Sequence, residues 1–253
     1  MRAFSDDPTG VPFPQARLTE FRSPSQAELE IFASLAGPVQ SVDRHRTIRR
    51  EGDRPQSVYM LVDGWVLSSM TLADGSRQIV KVHLPGDMLG SPSVALDRAA
   101  ETLTALTPVK LRPISLSALG SLFMRTPHMA ALLFLSAQQE RVILMDRLCS
   151  IGRTSAECRL AAFLVHLHDR LKRIRPDMGP RFDHPLTQEQ IGDTIGLTAV
   201  HVNRVFRGLE EKKLILRDGH SIELLDIAAL RRLSGVPART LAQDLGWLPQ
   251  PLN

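Results

Sequence analysis

Residues 186–210 constrain the fold of this chain more than any other stretch. They read as two short helices joined by a tight turn. Thr187 is placed to cap the first helix by accepting a hydrogen bond from an exposed N–H one turn on, and Gln190 stands at the capping-box spacing. Ile191 and Ile195 are four apart and share one face. Gly196 falls where this helix must stop and the backbone calls for positive φ. Thr198 then caps a second helix, on which Val202, Val205, Phe206 and Leu209 form an inward stripe. Ala199, Val200, His201, Asn203, Arg204 and Arg207 are left facing outward or partly so. Cap, turn glycine and polar second helix agree on a helix-turn-helix whose second helix enters a DNA major groove. The competing reading is an ordinary helical hairpin in a core.

The residues that follow extend the pattern. Leu214–Arg217 is a short apolar run, Asp218-Gly219 is a hairpin turn signal, and Ser221–Leu225 is a second run. A hairpin behind the second helix makes a winged helix, whose wing would set Arg217, His220 and backbone amides against phosphates, or serve only to stabilise the domain.

Composition sets outer bounds. At 253 residues the chain has room for two cored domains, and 43% hydrophobic with 23% charged residues is an ordinary globular balance. No run approaches the roughly 18–20 apolar residues of a membrane span. The first residues, Met1 to Pro8, lack the apolar core of a signal peptide. The only cysteines, Cys149 and Cys158, make no secreted disulfide framework. A cytoplasmic protein without membrane association is expected. A net charge of +4 is mild, and residues 186–219 are nearly charge-balanced, so DNA binding would rest on placed contacts.

The N-terminal half has a different texture. Residues 1–22 read as a loose arm, and Ser25-Gln-Ala-Glu28 is a capping box opening a helix to about Leu35. Short strands with close turns then follow, at residues 58–62, 65–71, 78–83, 103–111 and 112–115, with no helix between. That predicts an antiparallel barrel of jelly-roll type over residues 23–126. Gly52, Gly64, Gly75 and Gly86 read as turn glycines, since none opens a helix in a phosphate-loop pattern.

A long helix is expected over residues 127–151, with Pro127 in its first turn and Gly152 ending it. It carries two apolar stripes. One holds Leu132, Leu135, Val142, Met145 and Cys149, the other Phe134, Leu144, Leu148 and Ile151. One face can cover the barrel, while the other needs a partner, most simply a second copy. The expected dimer face comprises Leu132, Leu135, Val142, Met145, Leu148 and Cys149. Paired reading helices would then recognise a palindrome with half-sites about one helical turn apart. A helix buried within a larger monomer is the alternative. Thr154-Ser-Ala-Glu157 would cap the next helix, to about Leu171, making residues 150–154 a hinge and 172–185 a loop. The expected DNA-binding domain spans residues 152–234 and a tail spans 235–253, in which Trp247 and Leu248 read as a packing anchor or dimer contact. The fold class is α+β: barrel, dimerisation helix, winged helix-turn-helix.

Glu51-Gly52-Asp53, Val62-Asp63-Gly64 and Pro85-Gly86-Asp87-Met88-Leu89-Gly90, followed by a long helix and a winged helix-turn-helix, resemble the Crp/Fnr family of bacterial transcription regulators. The likeness runs from about residue 25 to 233. It implies a cyclic-nucleotide-binding-like barrel, a dimerising central helix and allosteric control of promoter binding, with RNA polymerase as a further partner. The effector pocket would involve Gly90, Ser91, Arg98, Ala99 and Ala100. Members that bind cyclic AMP carry a glutamate where this chain has Ser91, and an Arg-Ser pair where it has Ala99-Ala100 beside Glu101. A buried phosphate needs an arginine or several amides, so cyclic AMP is not the expected effector. Oxygen-sensing members use an N-terminal cysteine cluster, and no cysteine precedes Cys149. Haem through His83 or His45 and a redox switch at Cys149 or Cys158 are lesser readings, buried packing cysteines the leading one. Control by abundance without an effector is another alternative. No cofactor is expected.

Arg204 matches the arginine that in this family reads a guanine through O6 and N7. The glutamate many relatives use one turn earlier falls at Val200, so the usual half-site is not assumed. Val200 or Ala199 would touch a thymine methyl, and His201 and Asn203 a base or phosphate. Arg207 and Lys213 are phosphate candidates. Thr187 and Gln188 would hold a phosphate at a helix N-terminus. No catalytic Ser-His-Asp set, paired carboxylates or metal-spaced cluster stands out, and His166 and His168 point to different sides of their helix. An enzyme is not expected.

Overall fold

A computed structural model describes residues 17–242 and 244–252, so most of the expected N-terminal arm lies outside the described residues. In chain order the elements are α1 (Gln26–Leu35), β1 (Gln40–Val42), β2 (Thr47–Arg49), β3 (Ser57–Asp63), β4 (Val66–Thr71), β5 (Arg77–His83), β6 (Met88–Leu89), β7 (Thr102–Ala105) and β8 (Val109–Ser115). They continue as α2 (Leu116–Arg125), α3 (Pro127–Arg153), α4 (Ala156–Ile174), β9 (Arg181–Asp183), α5 (Gln188–Ile195), α6 (Ala199–Glu211), β10 (Ile215–Asp218), β11 (Ser221–Leu224) and α7 (Ile227–Ser234). The chain forms two compact units. One takes in the described residues up to Met70, Val82–Glu140 and those from Thr240 onward; the other takes in Thr71–Lys81 and Arg141–Arg239.

The jelly-roll arrangement is present as two four-stranded sheets, β1-β8-β3-β6 and β2-β7-β4-β5, whose strands belong to the first unit apart from most of β5. Side chains from both sheets, Leu61, Val66, Leu89, Leu103, Ala105 and Leu111, share one apolar core. The opposite face of the first sheet is also buried. There Val58 and Met60 of β3 and Ile114 of β8 pack with Leu29 and Phe32 of α1, Leu122 of α2, and Met129 and Leu132 of α3. Alternation along β3 sends Met60 to one core and Leu61 to the other, as period-two side-chain geometry requires. The single run expected over 103–111 breaks instead at Leu106–Pro108, where Trp65 donates its N–H to Thr107 Oγ1 and Leu106 donates to Trp65 O.

Residues 17–22 do not lie free. Arg17 is buried, with Nη1 2.8 Å from Glu20 and Nε 3.4 Å from Asp87, and it also meets Glu140 of α3. Burial alone would lower its pKa; the carboxylates of Asp87, Glu140 and Glu20 more than offset this and hold the guanidinium charged. The tail divides likewise. Leu248 is 3% exposed inside the α1–α2–α3 cluster, whereas Trp247 is 64% exposed, so only the leucine is an anchor.

The second unit holds α4 to α7 and a three-stranded antiparallel sheet, β10-β11-β9. β9 was not expected, since residues 172–185 read as loop; Phe182 pairs opposite Ile222 and is buried. The cap of α4 is Ser155, accepting from Cys158 N, and not Thr154, whose hydroxyl donates to Ser150 O. α3 also runs through Gly152 to Arg153, since a helical glycine costs only about 1 kcal/mol.

The two parts of α3 differ. Leu132 is fully buried in the first unit's core, which removes it from the expected dimer face; Leu135 also packs partly against that core. Further along, Leu144, Met145, Leu148 and Ile151 are exposed. Cys149 is exposed too and Cys158 half-buried, so neither is the buried packing cysteine expected; no described residue covers Cys149.

Replacing Leu248 with Ala empties a filled site and is expected to lower the free energy of unfolding by about 2–4 kcal/mol, with Trp247→Ala within about 0.5 kcal/mol of the parent. Chemical denaturation of the full chain checks this.

Candidate nucleic-acid interface

The helix-turn-helix is set by backbone chemistry. Thr187 Oγ1 accepts from Gln190 N at 3.2 Å while Gln190 Oε1 accepts from Thr187 N at 2.9 Å, a complete capping box. α5 ends at Gly196, φ 70°. Gly192 was not singled out from the sequence, yet it governs the turn: a Cβ there would lie 2.3 Å from Leu197 O. Leu197 N also donates to Gly192 O at 3.0 Å, so the two backbones touch where any side chain would part them. From α4, Arg159 Nη1 donates to Ile195 O and Gly196 O at 3.0 and 3.2 Å, satisfying carbonyls that the end of α5 leaves open. Asp193 of α5 takes an ion pair from Arg77, 2.6 Å from Nη2, and its carbonyl accepts from Gln78; both residues belong to the same unit.

Thr198 caps α6 by accepting from His201 N at 3.3 Å. Val202, Val205, Phe206 and Leu209 are buried, as the helical spacing predicts. Val200, Arg204 and Arg207 are exposed and recur at four- and three-residue steps, so they share one face. Ala199, His201 and Asn203 are half-buried. The Arg204 side chain has no hydrogen bond or ion pair to another described residue. At the head of α5, Thr187 and Gln188 are exposed; Lys213 is exposed just beyond α6, with φ 55°.

The expectation that Arg217 faces phosphate is corrected. Its Nε and Nη2 bind Glu210 Oε1 and Oε2 at 2.9 and 2.8 Å, and its guanidinium lies 4.5 Å from the centre of the Phe206 ring. That double hydrogen bond holds the Glu210 carboxyl below the ordinary carboxylate range. Arg217 therefore clamps the wing to α6. His220 is exposed at the wing turn, its ring 6.0 Å from that of His184 and edge-on to it.

In the first unit, Gly90 and Ala100, two of the residues expected to form an effector pocket, are joined through Ser93 to an unexpected arginine. Gly90, φ 77°, leads into a short 3₁₀ turn, Ser91–Ser93. Ser93 Oγ accepts from Ala100 N at 3.1 Å. Arg49 enters from β2: it reaches Gly90 O at 3.5 Å, Ser93 Oγ at 3.2 Å and Glu101 Oε1 at 3.3 Å. Arg49 and Glu101 are both buried, 6% exposed. Arg98 stays at the surface and donates to Gly52 O. Arg49 was missed because its partners lie 41 to 52 residues away.

His83 is placed against haem ligation: its Nε2 lies 2.6 Å from Ser68 Oγ and its Nδ1 3.6 Å from Asp87 Oδ2, all three residues being buried. This Ser-His-Asp set, not evident from sequence, is sealed at 1%, 4% and 2% exposure and gives no access to a substrate. His45 is exposed. No cluster of metal-ligating side chains occurs among the described residues. No single helix among them is long and apolar enough to cross a membrane.

A jelly-roll unit followed by a capped helix-turn-helix with a wing defines a DNA-binding transcription regulator. Residues 39–126 match the cyclic nucleotide-binding domain and residues 158–233 the Crp-like helix-turn-helix domain. The transcriptional activatory protein AadR of Rhodopseudomonas palustris is 33% identical over 79% of this chain and 82% of its own length. The nitrogen fixation regulation protein FixK of Rhizobium meliloti is 30% identical over 79% and 90%. The structure of FixK2 from Bradyrhizobium japonicum aligns with a TM-score of 0.71 at 26% identity, over 80% of this chain and 99% of that one. The chain belongs to the Crp/Fnr family of transcription regulators, and not to a family of enzymes.

His184, just before α5, is buried, and burial followed by the nearby His220 lowers its pKa to about 4. The folded form thus keeps it neutral, while the unfolded chain takes up a proton at about 6.5. Its contribution is intact above pH 6.5 and declines as pH falls toward 4, reaching a loss of about 3 kcal/mol. His184→Phe is expected to flatten this part of the stability–pH profile, followed by denaturant titration between pH 7 and 4.

Proposed function

We propose that the protein acts as a cytoplasmic homodimer that binds a palindromic promoter site. In this reading the first unit responds to a signal other than cyclic AMP and communicates with the reading heads through α3. The observation that carries the DNA contact is the exposed face of α6, where Val200, Arg204 and Arg207 line up beyond a capped, rigid turn. Arg204 reads a guanine, His201 and Asn203 contact a base or phosphate at the edge of the helix, and Ala199 lies at its tip. Arg207, Lys213 and the α5 head at Thr187 and Gln188 take phosphates. Thr198 positions α6 through its cap. The exposed Leu144, Met145, Leu148 and Ile151, with Val142 and Cys149 beside them, support pairing of two copies along α3. The relatives named as activators support RNA polymerase as a further partner.

Against cyclic AMP stands the Arg49–Glu101 pair. A phosphate brought to Gly90, Ser91 and Ala99-Ala100 would meet a carboxylate whose counter-charge is already used, in a low-dielectric setting where an unpaired anion is costly. The same observation favours a second reading, a regulator needing no small-molecule effector and set by its abundance. Calorimetry of the full chain with cyclic AMP is expected to show no binding; tight binding would defeat this part of the reading.

Selection from a random duplex pool, with no ligand added, is expected to return a palindrome. Arg204→Ala should then weaken binding by roughly 1–3 kcal/mol per half-site contact and relax preference at one base pair. Unchanged preference would remove Arg204 from its role.

A further inference from the structure

Val200 is 82% exposed at the second position of α6, and the fold gives it no work. The core of the domain is closed by Val202, Val205, Phe206 and Leu209 without it. A β-branched residue in an exposed helical turn adds nothing to helix propensity. Single exposed apolar side chains are common on surfaces, but this one lies one turn before Arg204 and on the same face, at the end of the helix that enters the groove. Ala199, the other apolar residue at this tip, is half-buried, so Val200 is the side chain that projects.

We infer that Val200 reads the C5-methyl group of a thymine next to the guanine taken by Arg204, and so sets the half-site at that position. The inference rests on α6 being the reading helix. Two arguments select thymine. The methyl is the one apolar feature that base pairs present in the major groove. The first turn of α6 also holds no acidic side chain, so it has no carboxylate to accept from a cytosine amino group. Four helical residues rise about 6 Å, which places the thymine within about two base pairs of that guanine.

The test starts from the half-site returned by selection with the full chain. Each thymine is replaced singly by deoxyuridine, which keeps the pairing edge and loses only the methyl, and affinity is measured by fluorescence anisotropy at one fixed salt concentration. With the parent protein, one thymine per half-site, within two or so base pairs of the guanine that Arg204→Ala identifies, should lose about fourfold on this exchange, the scale of one buried methyl group. Val200→Ala should bind the thymine duplex correspondingly more weakly and no longer distinguish it from the deoxyuridine duplex, while keeping its dependence on the guanine. Val200→Glu should move the preference at that position toward cytosine. Retained thymine discrimination in Val200→Ala overturns the inference, as does indifference of the parent protein to deoxyuridine near the guanine. If selection returns a site that Arg204→Ala leaves unaltered, the assignment of α6 as the reading helix fails first and separately. Val200 is at the surface, so circular dichroism of both variants should match the parent and tie any loss to the groove.

Discussion

The exposed face of α6 depends on one close approach, that of Leu197 O to Gly192. The two helices are joined by only Gly196, Leu197 and Thr198, so the angle between them is decided by how near the chain can pass to the flank of α5. With no Cβ at residue 192 the backbones meet and bond, Leu197 N to Gly192 O at 3.0 Å. Arg159 then ties the end of α5 from α4, and Thr198 restarts the helix one residue later. Each of these is a hydrogen bond to main chain, which resists adjustment in a way that apolar packing does not. The direction in which Val200 and Arg204 point follows from them.

Several of the charges around this frame are paired. Arg217 is bound to Glu210, Lys212 to Glu157, Arg77 to Asp193 and Arg231 to Asp169. Exposed pairs of this kind add little stability. Their larger effect is to localise these charges on fixed partners, so that they are not free to meet a polyanion. What remains along residues 186–219, where basic and acidic side chains are equal in number, is a small set of placed groups. Such a surface gains less from counterion release and relies more on matching base edges, which favours discrimination over non-specific hold.

What could be read from the sequence was local chemistry. The caps at Ser25, Thr187 and Thr198, the stop at Gly196 and the apolar spacing of α6 are each written within a few residues, and the structure carries all of them. What escaped depends on partners far along the chain. β9 is three residues long and exists because Phe182 finds Ile222. Arg217 looks free for phosphate until Glu210 and Phe206 are seen on the neighbouring turn of α6. The two stripes of α3 were visible, but not that Leu132 is taken into the same core cluster as Phe32 and Ile114 of its own unit. The residues expected to form an effector pocket were named by likeness, yet the arginine beside them comes from β2, where neither spacing nor composition marks it.

That division of α3 bears on how a signal would travel. The helix is continuous from Pro127 to Arg153, while the boundary between the two units falls within it, between Glu140 and Arg141. Before the boundary Met129 and Leu132 are anchored in the first unit's core, although Phe134 is exposed; after it Leu144, Met145, Leu148 and Ile151 are bare. A helix held at one end and uncovered at the other cannot slide at the held end without breaking that core, because packed interiors do not deform smoothly. If two copies pair along the bare stretch, the adjustable quantity is therefore the register or crossing of the two helices beyond Glu140. A shift there displaces whatever follows Arg153 as a body, with the α5–α6 angle left intact by its main-chain ties. If the proposed signal acts through such pairing, it changes where the two α6 helices stand relative to each other, and not the shape of either one.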